Sequence, residues 1–286
     1  GELQVNVTDS DNAPIRDARV TISEPETAIN PNSPIERLET DVSGQTQIVD
    51  LNTPPLEYSL NENNENMPYA NYNIQIEAPG YETENISNVE ILPDSLSLQN
   101  VRMRRREGEQ VENIDIDPHT LYAEYPEKVP EDEIKDVNEP GEIVLSRVVI
   151  PEYVVVHNGT PSSNARDYYV TYKDYIKNVA SSEIYATWPR ATIEANVLAI
   201  MSFTLNRVYT EWYRNKGYDF TITSSTAYDQ KWIYGRNIFQ SIDEVVDEIF
   251  DQYLSRPDVR QPILTQYCDG KRVTCPNWLS QWGSCN

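Results

Sequence analysis

The chain has 286 residues, with 46 acids against 23 bases and a formal net charge of −23. That length accommodates two domains, each with a buried core, and the acid excess would repel nucleic acid phosphates and anionic lipid head groups, which excludes DNA and RNA as expected partners. No uninterrupted apolar run approaches the roughly 18 residues of a membrane span, so any export signal or anchor is expected to lie outside these residues.

The charge is uneven: residues 1–106 hold 18 acids and 7 bases, 107–143 hold 13 and 2, and 144–286 hold 15 and 14. All five Trp and all three Cys fall in the last part. A chemically distinct second domain is therefore expected there.

The opening segment alternates apolar and polar residues in short runs, "LQVNV", "ARVTI" and "YNIQIEA", separated by Pro, Asn, Asp and Gly. Alternation at period two buries one face of a strand and wets the other, which predicts an all-β sandwich over residues 1–106. The pieces "DSDNAPIRDARVTI", "TDVSGQT" and "YNIQIEAPGYETE" resemble the carboxypeptidase-regulatory or transthyretin-like sandwich, which implies a fold and a spacer role but no chemistry. Residues 107–143 are acidic and punctuated by Pro, with few apolar residues at any period, and are read as an extended linker. His119 within it is read as solvated.

From residue 144 the apolar segment "EIVLSRVVIPEYVVVHNG" predicts strands broken at Pro151. Helical spacing follows in "YVTYKDYIKNVASSEI", and "ATIEANVLAIMSFTLNRVYTEWYRN" is apolar on most of its circumference, as in a central buried helix. "SIDEVVDEIFDQYLSRP" places Ser241 and Glu244 at capping-box spacing. With "DFTITSS" and "PILTQYC" as strands, the fold class is multidomain, an N-terminal all-β sandwich followed by an α+β domain over 144–286.

Glu183 sits between the end of one predicted helix and Pro189, which is suited to opening the next. Junctions often carry functional side chains, although position alone equally fits a surface acid. The stretch "YIKNVASSEIYATWPRATIEANVLAIMSFTLNRV" resembles the signature of the SpoIID/LytB family, with Glu183 on the family's Glu, Trp188 and Pro189 on its W-P, and Asn196 on its Gln. "STAYDQKWIYG" resembles a second family segment through Asp229, Gln230 and Gly235, and "LSQWGS" a third through Ser280, Gln281, Trp282 and Gly283. The chain departs from the pattern at Ile184 and Tyr185, at Met201 where the family has Arg, and in the turn "CDGKRVTC". It also stops before the family's Gly-rich tail and final helix, so the expectation is either a truncated domain or a relative that ends early.

The resemblance implies an exported, cell-wall or spore-envelope protein that acts on peptidoglycan glycan strands, with cell-wall proteins as further partners. It implies a lytic transglycosylase in which Glu183 is the single acid and base, and Trp188, Asp229, Gln230, Ser280 and Gln281 contact substrate. Tyr185 and Trp188 are expected to bury Glu183 and raise its pKa. The alternative is a non-catalytic glycan-binding scaffold. Catalysis predicts that Glu183 lines an open groove; a scaffold predicts that it is buried.

Cys268 and Cys275, seven positions apart, are read as the ends of a disulfide-closed hairpin, leaving Cys285 unpaired. A zinc ion on Cys268, Cys275 and His157 is the lesser reading, as some family members bind zinc through Cys and His. No other cofactor is expected.

Overall fold

The computed structural model describes residues 1–25, 33–108, 110–132 and 143–286. They divide into two compact units: Gly1–Tyr122 with Tyr185–Thr187 and Ile233–Ser241, and Ala123–Ile184 with Trp188–Trp232 and Ile242–Asn286.

Unit 1 is a sandwich of two sheets. Its strands are β1 (Glu2–Thr8), β2 (Arg19–Ser23), β3 (Pro34–Glu39), β4 (Val49–Asp50), β5 (Ala70–Glu77), β6 (Thr83–Ile91), β7 (Leu96–Arg102) and β8 (Val111–Asp115), with Ile238–Phe239 (β12) returning late in the chain. One sheet runs β3-β2-β5-β6-β8, the other β12-β7-β1-β4. A four-residue helix, α1 (Glu57–Leu60), interrupts the strands. Alternation places Leu3, Val5 and Val7 of β1 opposite Val20 and Ile22 of β2 and Ile74 and Ile76 of β5 in one core, where each aliphatic side chain contributes about 1.5–3 kcal/mol by leaving water.

The turns follow from particular side chains. Asp41 Oδ1 accepts from the Ser43 and Gln45 amides at 2.8 and 3.0 Å. Gly44 takes φ +73°, where a Cβ would meet Val7 O at 2.4 Å, so the T-D-x-x-G turn requires glycine.

Two expectations are corrected here. Residues 111–115, expected in the linker, form β8, parallel to β6 over five residue pairs; the edge strand is held by its backbone ladder, with Glu112 and Ile114 half-buried on one face and Val111, Asn113 and Asp115 exposed on the other. His119, expected in solvent, is fully buried. Its ring lies 4.5 Å from Tyr185 and its Nδ1 accepts from the Leu121 amide at 3.2 Å. Residues 133–142 of the expected linker lie outside the described residues.

β12 pairs with β7, Ile238 against Leu98 and Phe239 against Ser97. Just before it, Arg236 donates to Glu90 Oε2 at 2.6 Å with both side chains buried, and Asn237 exchanges hydrogen bonds with the Glu90 backbone, donating at 2.7 Å and accepting at 3.2 Å. Burial pushes the Glu90 carboxyl up in pKa, and Arg236 opposes it.

Unit 2 is α+β. β9 (Tyr153–His157) pairs antiparallel with β10 (Asp167–Thr171) and parallel with β11 (Ile222–Thr223). Pro151 precedes β9, and residues 143–150 form no strand, since Pro removes the ladder donor at the junction. α2 (Tyr172–Glu183) is capped by Thr171, whose Oγ1 accepts from the Asp174 amide. α3 (Arg190–Tyr209) is buried on most faces, as its apolar circumference requires. α4 (Gln240–Ile249) buries Ile242, Val245 and Val246. Ser241 does not cap it: the helix starts one residue earlier and the Ser241 hydroxyl donates to Ala186 O at 3.2 Å. β13 (Tyr267–Cys268) pairs with β14 (Leu279–Ser280), and α5 (Gln281–Cys285) follows.

Candidate active site

Glu183 is the last residue of α2, and Ile184 already has extended backbone, its amide still bonding to Ala180 O. The carboxylate therefore projects from a helix end into the interior of unit 2, with 1% of the residue exposed. Oε1 accepts from the Lys231 amide at 2.7 Å and Oε2 from the Tyr267 hydroxyl at 2.5 Å. Burial raises the Glu183 pKa; the nearby Lys128 ammonium, the Lys231 amide and the Tyr267 hydroxyl pull against it. Burial in turn lowers the Lys128 pKa, and Glu183 opposes that shift.

Tyr267 comes from β13, at the base of the hairpin closed by the Cys268–Cys275 disulfide, whose Cα atoms are 5.7 Å apart. Gly270 at the tip takes φ +78°, and a Cβ there would meet Ser280 Oγ at 1.9 Å. Asp269 organises the turn: Oδ1 accepts from the Lys271, Arg272 and Val273 amides, each at 3.1 Å, and Oδ2 from Arg272 Nε at 2.8 Å. The hairpin thereby fixes the tyrosine that holds Glu183.

Of the residues expected to contact substrate, Trp188, Asp229, Gln230 and Gln281 are buried and Ser280 is half-buried. Trp188 is 3% exposed and packs on Trp282 at 5.0 Å. Gln230 is fully buried; Oε1 accepts from Tyr175 and Thr204 hydroxyls, both at 2.9 Å, and Nε2 donates to Ile200 O at 3.0 Å. Asp229 binds Arg207 Nε at 2.7 Å and accepts from Tyr213 and Thr223 hydroxyls, both at 2.6 Å. Ser280 caps α5, its Oγ accepting from the Gly283 amide at 3.0 Å. Gln281 Nε2 donates to the Glu183 carbonyl at 3.3 Å, and its own Oε1 is buried with no hydrogen-bond partner. In this structure the polar atoms of Asp229 and Gln230 are taken up by other protein groups, which hold the interior of unit 2 together. Tyr185 lies tilted against His119 at 4.5 Å and Trp188 against Trp282 at 5.0 Å, and the tyrosine hydrogen-bonded to the carboxylate is Tyr267.

Met201 occupies the helix where the resembled family has Arg, and it is fully buried. The buried guanidinium of α3 is Arg207 instead. Besides Asp229 it binds both oxygens of Glu131, at 2.6 and 2.7 Å. Burial lowers its pKa, but Asp229 and Glu131 outweigh that and raise it.

Residues 123–132 read as linker in the sequence, yet they contribute side chains to the site. Besides Glu131 they place Lys128 with its ammonium 5.4 Å from the Tyr267 ring centre and 3.3 Å from Asp229 O. The signal available was "EYPEKVPE", in which Tyr and Val interrupt the acids.

The zinc reading loses its ligands. Cys268 and Cys275 are joined in the disulfide, and His157 Nδ1 lies 2.6 Å from Asp167 Oδ1 with Nε2 3.1 Å from Ser163 O. No group of three His, Cys, Asp or Glu among the described residues can hold a metal ion. Cys285 is the free cysteine. No described helix is long and apolar enough to cross a membrane.

No protein-family model matches the chain, and no curated protein does. Among solved structures it is similar to 3-chlorocatechol 1,2-dioxygenase from Rhodococcus opacus 1CP, at 12% identity and TM-score 0.25 over 37% of this chain and 59% of that one. It is also similar to a streptococcal ancillary pilin, at 13% identity and TM-score 0.25 over 36% and 32%, and to a type II cohesin-X-dockerin complex from Acetivibrio cellulolyticus, at 17% identity and TM-score 0.21 over 35% and 51%. The chain thus spans less than two thirds of each, and likeness at this level carries no chemistry.

Proposed function

We propose that the protein is exported and remodels peptidoglycan, with Glu183 as the single acid and base of a lytic transglycosylase. The observation that carries this reading is a buried carboxylate of raised pKa, aimed by the Lys231 amide and the Tyr267 hydroxyl. A carboxyl whose pKa burial raises above the usual carboxylate range is suited to general acid work. In the reaction, Glu183 gives its proton to the glycosidic oxygen as the bond between N-acetylmuramic acid and N-acetylglucosamine breaks. The carboxylate then takes the proton of the muramic C6 hydroxyl as that oxygen closes on C1. The products are a 1,6-anhydro end and a free hydroxyl, no water is consumed, and Glu183 returns to its acid form. A second catalytic carboxylate is not needed, unlike in ordinary glycoside hydrolysis. The disulfide supports an oxidising, extracytoplasmic location.

A second reading has its own support. Glu183 is 1% exposed with both oxygens bonded, which favours a scaffold that binds glycan strands without cutting them. Mass spectrometry of muropeptides released from purified peptidoglycan by the wild type and by Glu183→Gln decides between the two. Anhydro-muramic products from the wild type alone are expected; intact strands retained on both proteins would establish the scaffold.

A further inference from the structure

Three cavities in unit 2 share one wall. The largest, about 690 Å³, is lined by Glu131 and Asp132 together with Leu198, Thr265, Gln266 and Trp278. A second, about 310 Å³, is lined by Val129, Pro130 and Glu131 with Arg207, Trp212 and Tyr228. A third, of about 10 Å³, is lined by Lys128, Val129, Glu131, Asp229, Gln266 and Tyr267, and shares Gln266 with the first and Val129 with the second. Glu131 lines all three, and Tyr267 is the residue that holds Glu183. We propose that residues 123–132 are a strap lying in a single groove, and that lifting it joins the three cavities into one channel past Tyr267 and Glu183.

The strap is built to be held and released. It has no helix or strand, so its attachment rests on a few particular bonds. The Val129 amide donates to Ala227 O at 2.7 Å, Lys128 Nζ to Asp229 O at 3.3 Å, Gln266 Nε2 to Glu131 O at 3.2 Å, and Arg207 to both Glu131 oxygens. Against these, the Tyr125 hydroxyl is buried with no hydrogen-bond partner, a cost that water would relieve on lifting. Trp278 and Trp212, one in each flanking cavity, give the opened channel an aromatic surface at either end, suited to stacking on sugar faces. That occupant, a glycan strand, rests on the reading proposed above. The strap accounts for why a carboxylate with the electrostatics of an acid catalyst is closed off.

Hydrogen exchange of the Lys231 amide, which bonds Glu183, tests the strap without any assay of activity. In Tyr125→Ala this amide should exchange at least tenfold faster than in the wild type, with the amides of α3 unchanged. In oxidised Val129→Cys/Ala227→Cys, made with Cys285→Ser, it should exchange at least tenfold slower. No acceleration in the first protein, an acceleration that α3 shares, or no slowing in the cross-linked protein would overturn the proposal. Glycan-strand binding by the same proteins separates the two ideas: exchange that responds as expected without any glycan binding keeps the strap and removes the peptidoglycan reading.

Discussion

Tyr267 donates its hydroxyl proton to Glu183 Oε2 at 2.5 Å, across 84 positions of sequence. This bond favours the ionised carboxylate and so works against the burial that raises its pKa. Tyr267→Phe removes it while keeping the ring. The Glu183 titration, followed by carbon NMR of the carboxyl, should move to higher pH, and stability at pH 8 should fall by about 1.5–3 kcal/mol, the range for a hydrogen bond to a charged group. A midpoint that stays where it is in the wild type would show that the tyrosine does not tune the acid.

The buried Arg236–Glu90 pair anchors the β12 segment beside β6 in unit 1. Arg236→Met leaves the carboxyl without its cation and should cost about 3–5 kcal/mol in urea unfolding. The double variant Arg236→Met/Glu90→Leu should recover most of that loss, because both desolvation penalties go together. A double variant as unstable as the single one would contradict this account.

Glu84 is 3% exposed and its Oε1 is buried without a partner. Burial, followed by Glu112, raises its pKa from 4.5 to about 7. With the folded value above the unfolded one, the folded state holds a proton that the unfolded state has released. Stability contributed by that proton is complete below pH 4.5 and falls as pH rises through about 7. The decline should reach about 3 kcal/mol at most, and Glu84→Gln should flatten the profile over this window. An unchanged slope between pH 4.5 and 7.5 would place the titration elsewhere.

The Cys268–Cys275 disulfide closes a short loop, so its stabilisation should be modest, about 2.5 kcal/mol in the chain-entropy account. Thiol labelling of the unfolded protein should modify Cys285 alone before reduction and all three cysteines after it. Cys275→Ser should lower Tm and accelerate exchange in the hairpin around Asp269. Labelling of three cysteines without reductant would refute the pairing.

How much of this was legible in the sequence differs between the units. Alternation of Val and Ile fixed the strands of the sandwich, because period two admits one buried face, and the T-D-x-x-G turn announced its own glycine. The all-round apolar pattern of α3 likewise announced a buried helix, and the junction between Glu183 and Pro189 lies where the spacing put it. Residues 111–132 resisted the same reading, since an edge strand and a strap bury too few apolar groups to show a period. His119 and Glu131 are buried by partners remote in sequence.

Local residues thus determined most of the strands of the sandwich, the buried helix α3 and the position of Glu183 at a helix end. Tertiary structure alone decided what surrounds that acid. Burial and pairing depend on distant segments meeting: Tyr267 reaches Glu183 from a disulfide-closed hairpin, Lys128 from a stretch that reads as linker, and Arg207 joins Asp229 to Glu131. Short-range periodicity carries no information about such meetings, because the energy that fixes them is released only when the whole unit closes on its core.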